Sequence, residues 1–261
     1  MEKAVSKDGT PIAFERAGQG PPLILAAAAL CDRSATRPLA ERLASRFTVF
    51  NYDRRGRGDS GDTAPYAVAR EIEDLDALIA AAGGKAALYG HSSGAGLVLH
   101  AAAHGLPVTR LVLHEPPYGP DSEDERRSAR EIAENIGAAL AKDRRDEAIA
   151  LFLGGAGMPP EMVEGMCQDP SVLAMAHTLA YEFEIMGNID QGGTVPVESL
   201  GDVPMPALVL AGGASPEWMR DSARRIARTL PDGRLRVLED QGHMPSPEVL
   251  APVLAEFLAD G

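Results

Sequence analysis

Cysteine, basic charge and long apolar runs are all scarce in this 261-residue sequence. The two cysteines, Cys31 and Cys167, lie far apart and form no Cys-x-x-Cys pair, which argues against a disulfide framework or zinc site and favours a reducing, cytoplasmic location. Lysine and arginine number 25 against 38 acidic residues and form no basic cluster, so a nucleic-acid partner is not expected. The longest apolar run, residues 22–30, is too short to span a bilayer, and the N-terminus lacks the apolar core of a signal peptide. We therefore expect no membrane partner, and the sequence leaves the oligomeric state open.

Short apolar runs alternate with helical patterns along most of the chain, which is typical of an α/β fold with a mostly parallel sheet flanked by helices. Strands are predicted at residues 12–16, 23–27, 47–52, 86–89, 110–114, 207–211 and 234–238. Helices are predicted at residues 35–45, 67–82, 93–104, 215–230 and 247–259.

The strand pattern disappears between residues 119 and 201, where charged helical segments follow one another at 121–141, 146–152, 161–167 and 171–186. This stretch is too long for a simple crossover between two strands. We therefore predict a helical cap, or lid, formed by residues 119–201 and packed over one end of a core formed by residues 1–118 and 202–261. Such a cap implies an enclosed site.

The segment Gly90-His91-Ser92-Ser93-Gly94 matches the pattern Gly-x-Ser-x-Gly and lies between an apolar run and a helical run. In this setting the pattern indicates a sharp strand-to-helix turn that exposes the serine hydroxyl, and glycines are needed two residues before and after to avoid collisions. The free amides and positive dipole end of the next helix would stabilise a developing oxyanion. We predict Ser92 as a nucleophile and the Ser93 amide as an oxyanion donor; an ordinary Gly-Ser turn is the alternative.

A serine hydroxyl needs a base to take its proton during attack. Among the six histidines, His243 lies in a loop after the last predicted strand, between Gly242 and Met244. This location places it at the carboxyl edge of the sheet, where Ser92 also emerges. We predict His243 as the general base; the alternative is a surface loop residue without a catalytic role.

The carboxylate that would orient this histidine is less obvious. In many serine hydrolases this carboxylate lies just after the penultimate strand, but here that position is occupied by Ala214. The nearby Glu217 is simply explained as the first residue of a helix, where an acidic side chain is favourable. Glu115 directly follows the strand next to the nucleophile strand, and two prolines after it fix the exit of the chain. We predict Glu115 as the acid, with an ion pair at the entrance to the cap as its alternative role. Asp240 is a weaker candidate because it is too close in sequence to His243.

These motifs resemble the α/β-hydrolase superfamily over nearly the whole chain. Residues 52–60, Tyr-Asp-Arg-Arg-Gly-Arg-Gly-Asp-Ser, are similar to the structural turn after the fourth strand of that family. The motifs that further resemble the zearalenone lactonase subgroup are Gly-His-Ser-Ser-Gly-Ala at 90–95, His114-Glu115-Pro116, Gly213-Ala214-Ser215-Pro216 and Gly242-His243-Met244. Those lactonases use a Ser-Glu-His triad with the glutamate after the sixth strand, so the resemblance also implies Glu115.

The chain departs from the family after the third strand, where a His-Gly dipeptide is usual and this sequence has Ala27-Ala28-Ala29-Leu30. Because an oxyanion hole uses backbone donors, the Ala29 amide can still serve together with that of Ser93.

The cap is rich in methionine and contains a few aromatic residues, which can line an apolar pocket or hold the cap to the core. The predicted pocket residues are Met158, Met162, Tyr181, Phe183 and Met244. We expect hydrolysis of a small apolar ester or lactone through an acyl-enzyme, without a metal or organic cofactor. The alternatives are a non-hydrolytic enzyme on the same scaffold, such as a cyclase or cofactor-free perhydrolase, and a binding protein with a degenerate triad.

Overall fold

A mixed sheet, mostly parallel, forms the centre of the molecule. The computed structural model describes residues 1–259, apart from the side chain of residue 199, and the sheet within them has the order β1-β2-β4-β3-β5-β6-β7-β8. Its strands are β1 (Glu2–Val5), β2 (Pro11–Ala17), β3 (Pro22–Ala26), β4 (Thr48–Tyr52), β5 (Ala86–His91), β6 (Val108–His114), β7 (Ala207–Gly212) and β8 (Gly233–Leu238). Pairing is antiparallel between β1 and β2 and between β2 and β4, and parallel from β4 to β8. The predicted α/β class is therefore confirmed.

Helices cover both faces of this sheet. They are α1 (Arg33–Leu43), α2 (Val68–Ala81), α3 (Ser93–Ala103), α4 (Glu123–Leu140), α5 (Arg145–Gly155), α6 (Pro160–Gln168), α7 (Pro170–Met175), α8 (Leu179–Ile185), α9 (Val197–Gly201), α10 (Glu217–Thr229) and α11 (Pro247–Ala259). In the described part of the chain, none of them is long and apolar enough to cross a bilayer.

Strand alternation divides the core between the two faces. In β3, Ile24 points into a cluster with side chains of α2, α3 and α10, whereas Leu23 and Leu25 point into a cluster with side chains of α1 and α11. Successive residues of a strand face opposite sides, so an apolar run such as this one is suited to a sheet that is covered on both sides. The arrangement holds the carboxyl ends of β3, β5, β6 and β7 side by side.

The chain between β6 and β7 forms helices α4–α9, and they contain a smaller apolar cluster of their own. Ile136, Ile149 and Leu179 are fully buried in it, and Leu30, from the loop after β3, joins them. The helical content of this region agrees with the sequence pattern, and the division into a core and a cap at residues 119 and 201 stays a prediction.

One prediction in this region is wrong, because a helix expected to be continuous is interrupted in the structure. Residues 171–186 form α7, a 3-10 turn at Ala176–Thr178, and α8 rather than a single helix. At the break, the Thr178 hydroxyl donates to the Met175 carbonyl at 2.7 Å and His177 Nδ1 donates to the Ala174 carbonyl at 3.1 Å. Side chains that bond to nearby carbonyls compete with the helical hydrogen bonds, which accounts for the interruption.

Candidate active site

Ser92 lies at the turn between β5 and α3 in a strained backbone conformation, with φ 55° and ψ −124°. Such strain costs on the order of 1–3 kcal/mol and persists only where the surroundings enforce it. A Cβ atom at Gly90 would overlap the Gly94 carbonyl, and one at Gly94 would overlap the carbonyls of Ala26 and Ala27. Both glycines are therefore sterically required, and the second one allows the loop after β3 to pack directly against the turn.

His243 and Glu115 are hydrogen-bonded. Nδ1 of His243 lies 2.7 Å from Oε2 of Glu115, and the other carboxyl oxygen accepts the Gly212 amide at 2.7 Å. The Glu115 side chain is fully buried, whereas that of His243 is 32% exposed. Because a carboxylate only accepts, Nδ1 carries the hydrogen and Nε2 of the neutral ring is left as a proton acceptor.

The side chain of Glu115 is an ionised carboxylate at neutral pH. Burial alone would raise its pKa, but the hydrogen bonds from the His243 imidazole and the Gly212 amide outweigh burial and hold the pKa below its ordinary value. A buried carboxylate that stays ionised can stabilise an imidazolium at His243.

The loop that carries His243 is attached to the turn at Ser92 through His91. His91 Nε2 donates to the His243 carbonyl at 2.8 Å, and the centroids of the two imidazole rings are 4.7 Å apart. In the described part of the chain the hydrogen bonds of His243 go to His91 and Glu115, and the Ser92 hydroxyl is not among its partners. The structure therefore joins Glu115 to His243 and brings His243 beside the turn, while no hydrogen bond links His243 to the Ser92 hydroxyl. Such contacts are often long before substrate binds.

His91 and His114 form a stack of buried imidazoles behind His243. Their ring centroids are 4.6 Å apart, and Tyr89 Oη bonds to His114 Nδ1 at 2.8 Å. Burial, together with the neighbouring His243, lowers the pKa of His91 to about 3. Burial also lowers the pKa of His114 well below its ordinary value, so both rings are neutral at physiological pH.

These buried rings make stability depend on pH. Between pH 6.5 and about 3 the unfolded chain protonates His91 and the native protein does not. The contribution of His91 to the free energy of unfolding is therefore fully present above pH 6.5 and is lost as the pH falls through this window. One such histidine contributes a slope of up to about 1.4 kcal/mol per pH unit. We expect His91→Gln to have a shallower slope than the wild type, as measured by urea unfolding at several pH values from 4 to 7.5. Equal slopes would contradict a neutral buried imidazole.

The two backbone amides predicted as oxyanion donors belong to Ser93 and Ala29. Ser93 is the first residue of α3, and Ala29 lies in the loop after β3 that Gly94 allows to pack on the turn. Among the residues that the structure describes, neither amide has a hydrogen-bond acceptor. These are the two donors that the sequence predicts, and their role in catalysis stays a proposal.

A buried ion cluster lies behind this loop, and sequence analysis missed it. Arg54 donates to both oxygens of Glu71 at 2.8 and 2.9 Å and to Glu182 of α8 at 3.2 Å, and all three side chains are almost completely buried. Burial would raise the pKa of Glu71, but the Arg54 guanidinium outweighs burial and lowers it. The run Asp53-Arg54-Arg55 is the sequence feature that points to such a cluster, because arginines that become buried need carboxylate partners. The run does not reveal which carboxylates these are.

The predicted pocket residues are found in different surroundings. Phe183 is buried in the apolar cluster of α4–α8, and Met158 packs at its edge. Tyr181 stacks on Tyr66 with ring centroids 3.8 Å apart. Met162 and Met244 are 54% and 67% exposed. The role of these five residues in binding a substrate stays a prediction.

Comparison with known proteins gives consistent matches over most of the chain. A sequence profile of the Alpha/beta hydrolase family matches residues 10–253. The crystal structure of an alpha/beta hydrolase from Sphaerobacter thermophilus superposes with a TM-score of 0.87 at 49% identity, covering 99% of this chain and 100% of the other.

Two further relatives are less similar in sequence. The 2-(acetamidomethylene)succinate hydrolase of Mesorhizobium japonicum is 27% identical over 255 residues, 92% of this chain and 89% of the enzyme. The N-formylmaleamate deformylase of Pseudomonas putida is 28% identical over 238 residues, 87% of this chain and 83% of the enzyme.

Proposed function

This chain belongs to the alpha/beta hydrolase family, and on that premise we propose that it is a serine hydrolase that cleaves a carboxylic ester or lactone through an acyl-enzyme on Ser92. The observation that carries the proposal is the 2.7 Å bond between His243 Nδ1 and Glu115 Oε2 beside the strained turn at Ser92. A base oriented by a buried carboxylate, beside a turn that carries a half-buried serine hydroxyl and amides without an acceptor, is the arrangement that acyl transfer requires.

In the proposed reaction, His243 Nε2 takes the proton of the Ser92 hydroxyl while Oγ attacks the carbonyl carbon. The carbonyl oxygen becomes an oxyanion, which the amides of Ser93 and Ala29 stabilise. The tetrahedral intermediate collapses, His243 returns the proton to the leaving alkoxide, and an acyl-Ser92 ester remains. His243 then deprotonates a water molecule that attacks this ester, and the acid and the Ser92 hydroxyl are released. Throughout the cycle Glu115 holds one imidazole tautomer and stabilises its charged form.

The substrate class is proposed on separate grounds. The apolar character is proposed from the methionine and aromatic residues of the predicted cap, because such side chains can line an apolar pocket. The lactone rests on the motif resemblance to zearalenone lactonases. For a lactone the leaving alcohol stays attached to the acyl group, so the product is a hydroxy acid.

A small amide is a second candidate substrate, favoured by the names of the two further relatives. One name specifies an acetamido compound and the other an N-formyl compound. The same three groups would serve this reaction, because His243 would return the proton to the leaving nitrogen instead of to an oxygen. The two candidates differ in the leaving group and not in the catalytic residues.

Labelling with a fluorophosphonate tests the proposal directly. We expect one phosphonate per chain, and peptide mass spectrometry should locate it on Ser92. We also expect the protein to hydrolyse p-nitrophenyl acetate and the label to abolish this turnover. A panel of alkyl esters, lactones and N-acyl amides, compared by kcat/KM, then ranks the substrate classes. Turnover without a label would point to hydrolysis that does not use Ser92 as the nucleophile, and the absence of both turnover and label would favour a binding protein.

A further inference from the structure

We propose that Arg57 is a positioning residue of the oxyanion hole, and that Glu182 of α8 holds it in place. The inference rests on the proposed function, because the backbone amide that Arg57 orients is the Ala29 donor of that function. It assigns to the turn after β4 a role in catalysis in addition to its structural role.

Arg57 contacts the peptide unit that carries this donor. Its Nη1 donates to the carbonyl of Ala28 at 3.1 Å, its Nη2 donates to Oε1 of Glu182, and its side chain is fully buried. The bond between Ala28 and Ala29 is a trans peptide, in which the carbonyl and the following N–H point in opposite directions. By fixing the Ala28 carbonyl from one side, the guanidinium fixes the direction of the Ala29 N–H on the other side.

The guanidinium also acts on the strength of this donor. A charged hydrogen bond to a carbonyl polarises the whole peptide unit, and inside a protein this makes the N–H of the same unit a stronger donor. An amide held by Arg57 is therefore both aimed and polarised before any substrate is bound. Preorganised donors of this kind account for a large part of oxyanion stabilisation.

The composition of the loop explains why such an anchor is needed. Residues 27–30 contain no glycine, and Leu30 adopts φ 55°, a left-handed conformation that is unfavourable for a leucine. A strained loop keeps its shape only when surrounding contacts enforce it. Arg57 supplies one of these contacts, and Arg54 supplies a longer one at 3.4 Å to the Ala27 carbonyl and another at 3.3 Å to Oγ of Ser93.

Glu182 connects this anchor to the helical region between β6 and β7. Its carboxylate is 2% exposed and is shared by Arg54 and Arg57, so that two buried arginines are balanced by Glu71 and Glu182. Removing the charge of Glu182 leaves two buried cations with one carboxylate, and a buried charge without its partner reorganises or destabilises its surroundings. The packing of α8 therefore sets the geometry of the oxyanion hole.

Arg55 provides a matched control for the experiment. It is the same residue type in the same turn, and its side chain is also fully buried, but its partners are Asp8, Asp74 and the Arg70 carbonyl. Arg57→Lys and Arg55→Lys each remove one buried guanidinium and keep the charge. Only the first variant removes a contact with the loop after β3.

We expect Arg57→Lys to lower kcat for p-nitrophenyl acetate about 10- to 100-fold with KM changed by less than about threefold, which is less than the loss of an entire oxyanion donor. Affinity for an aryl trifluoromethyl ketone, whose adduct with Ser92 places an oxyanion in the hole, should fall by the same factor as kcat/KM. Arg55→Lys should keep kcat, KM and this affinity within about twofold of the wild type.

The results separate this inference from the proposed function. Equal kcat and equal ketone affinity in Arg57→Lys and Arg55→Lys would overturn the positioning role, and the function would still stand if the wild type hydrolyses the ester and Ser92 takes the label. If Arg57→Lys does not fold, Glu182→Gln decides, because wild-type kcat and ketone affinity in that variant overturn the inference. A wild type with neither turnover nor label removes the function and the positioning role together.

Discussion

Replacement of Ser92 by alanine is expected to lower kcat for p-nitrophenyl acetate by roughly 10⁴- to 10⁶-fold, the range found when a serine nucleophile is deleted. The reason is that the hydroxyl at the turn forms the covalent bond to the acyl group, and without it the remaining rate comes from substrate binding and the oxyanion donors alone. Initial rates with excess enzyme, followed by p-nitrophenolate absorbance, measure the loss.

Another serine, Ser222, serves as the control for this variant. Ser222 lies on α10 and is 6% exposed, so Ser222→Ala likewise removes one serine hydroxyl but is expected to keep wild-type kcat. Urea unfolding of both variants establishes that they are folded. A Ser92→Ala protein with more than about a tenth of wild-type kcat would contradict an acyl-enzyme on this residue.

Glu115→Gln is expected to lower kcat by roughly 10³- to 10⁴-fold with little change in KM. Glutamine has nearly the same shape and its carbonyl oxygen can still accept the Gly212 amide. Its NH₂ group would then face His243 Nδ1 and donate to it, which favours the tautomer that cannot accept the proton of Ser92. The variant also removes the negative charge that stabilises the imidazolium. Steady-state kinetics from pH 6 to 9 measure both effects.

The two carboxylates that sequence analysis weighed against Glu115 are the controls. Glu217 is exposed and forms ion pairs with Arg220 and Arg224, and Asp240 is exposed in the loop before His243. We expect Glu217→Gln and Asp240→Asn to keep kcat within about twofold of the wild type. An active Glu115→Gln combined with an inactive variant at either control position would place the acid elsewhere.

The local pattern of the sequence was sufficient to predict seven of the strands, β2–β8, because each is an apolar or alternating run next to turn residues. The first strand was missed because, of the residues Glu2–Val5, only Ala4 is buried, so the alternation is too short to detect. The break at Ala176–Thr178 was missed for a related reason, since side-chain bonds to nearby carbonyls leave no trace in hydrophobic periodicity.

By itself, the sequence determined the turn at Ser92, because a tight strand-to-helix turn is a local property that two glycines and their flanking runs specify. It also placed Glu115 directly after one strand and His243 in the loop after another, where parallel neighbours bring side chains to one edge. Only the tertiary structure decided that these two side chains, 128 residues apart, form a hydrogen bond, and that Glu182 reaches Arg57 across 125 residues. Such contacts depend on strand order, register and helix packing, which no short segment of the chain encodes.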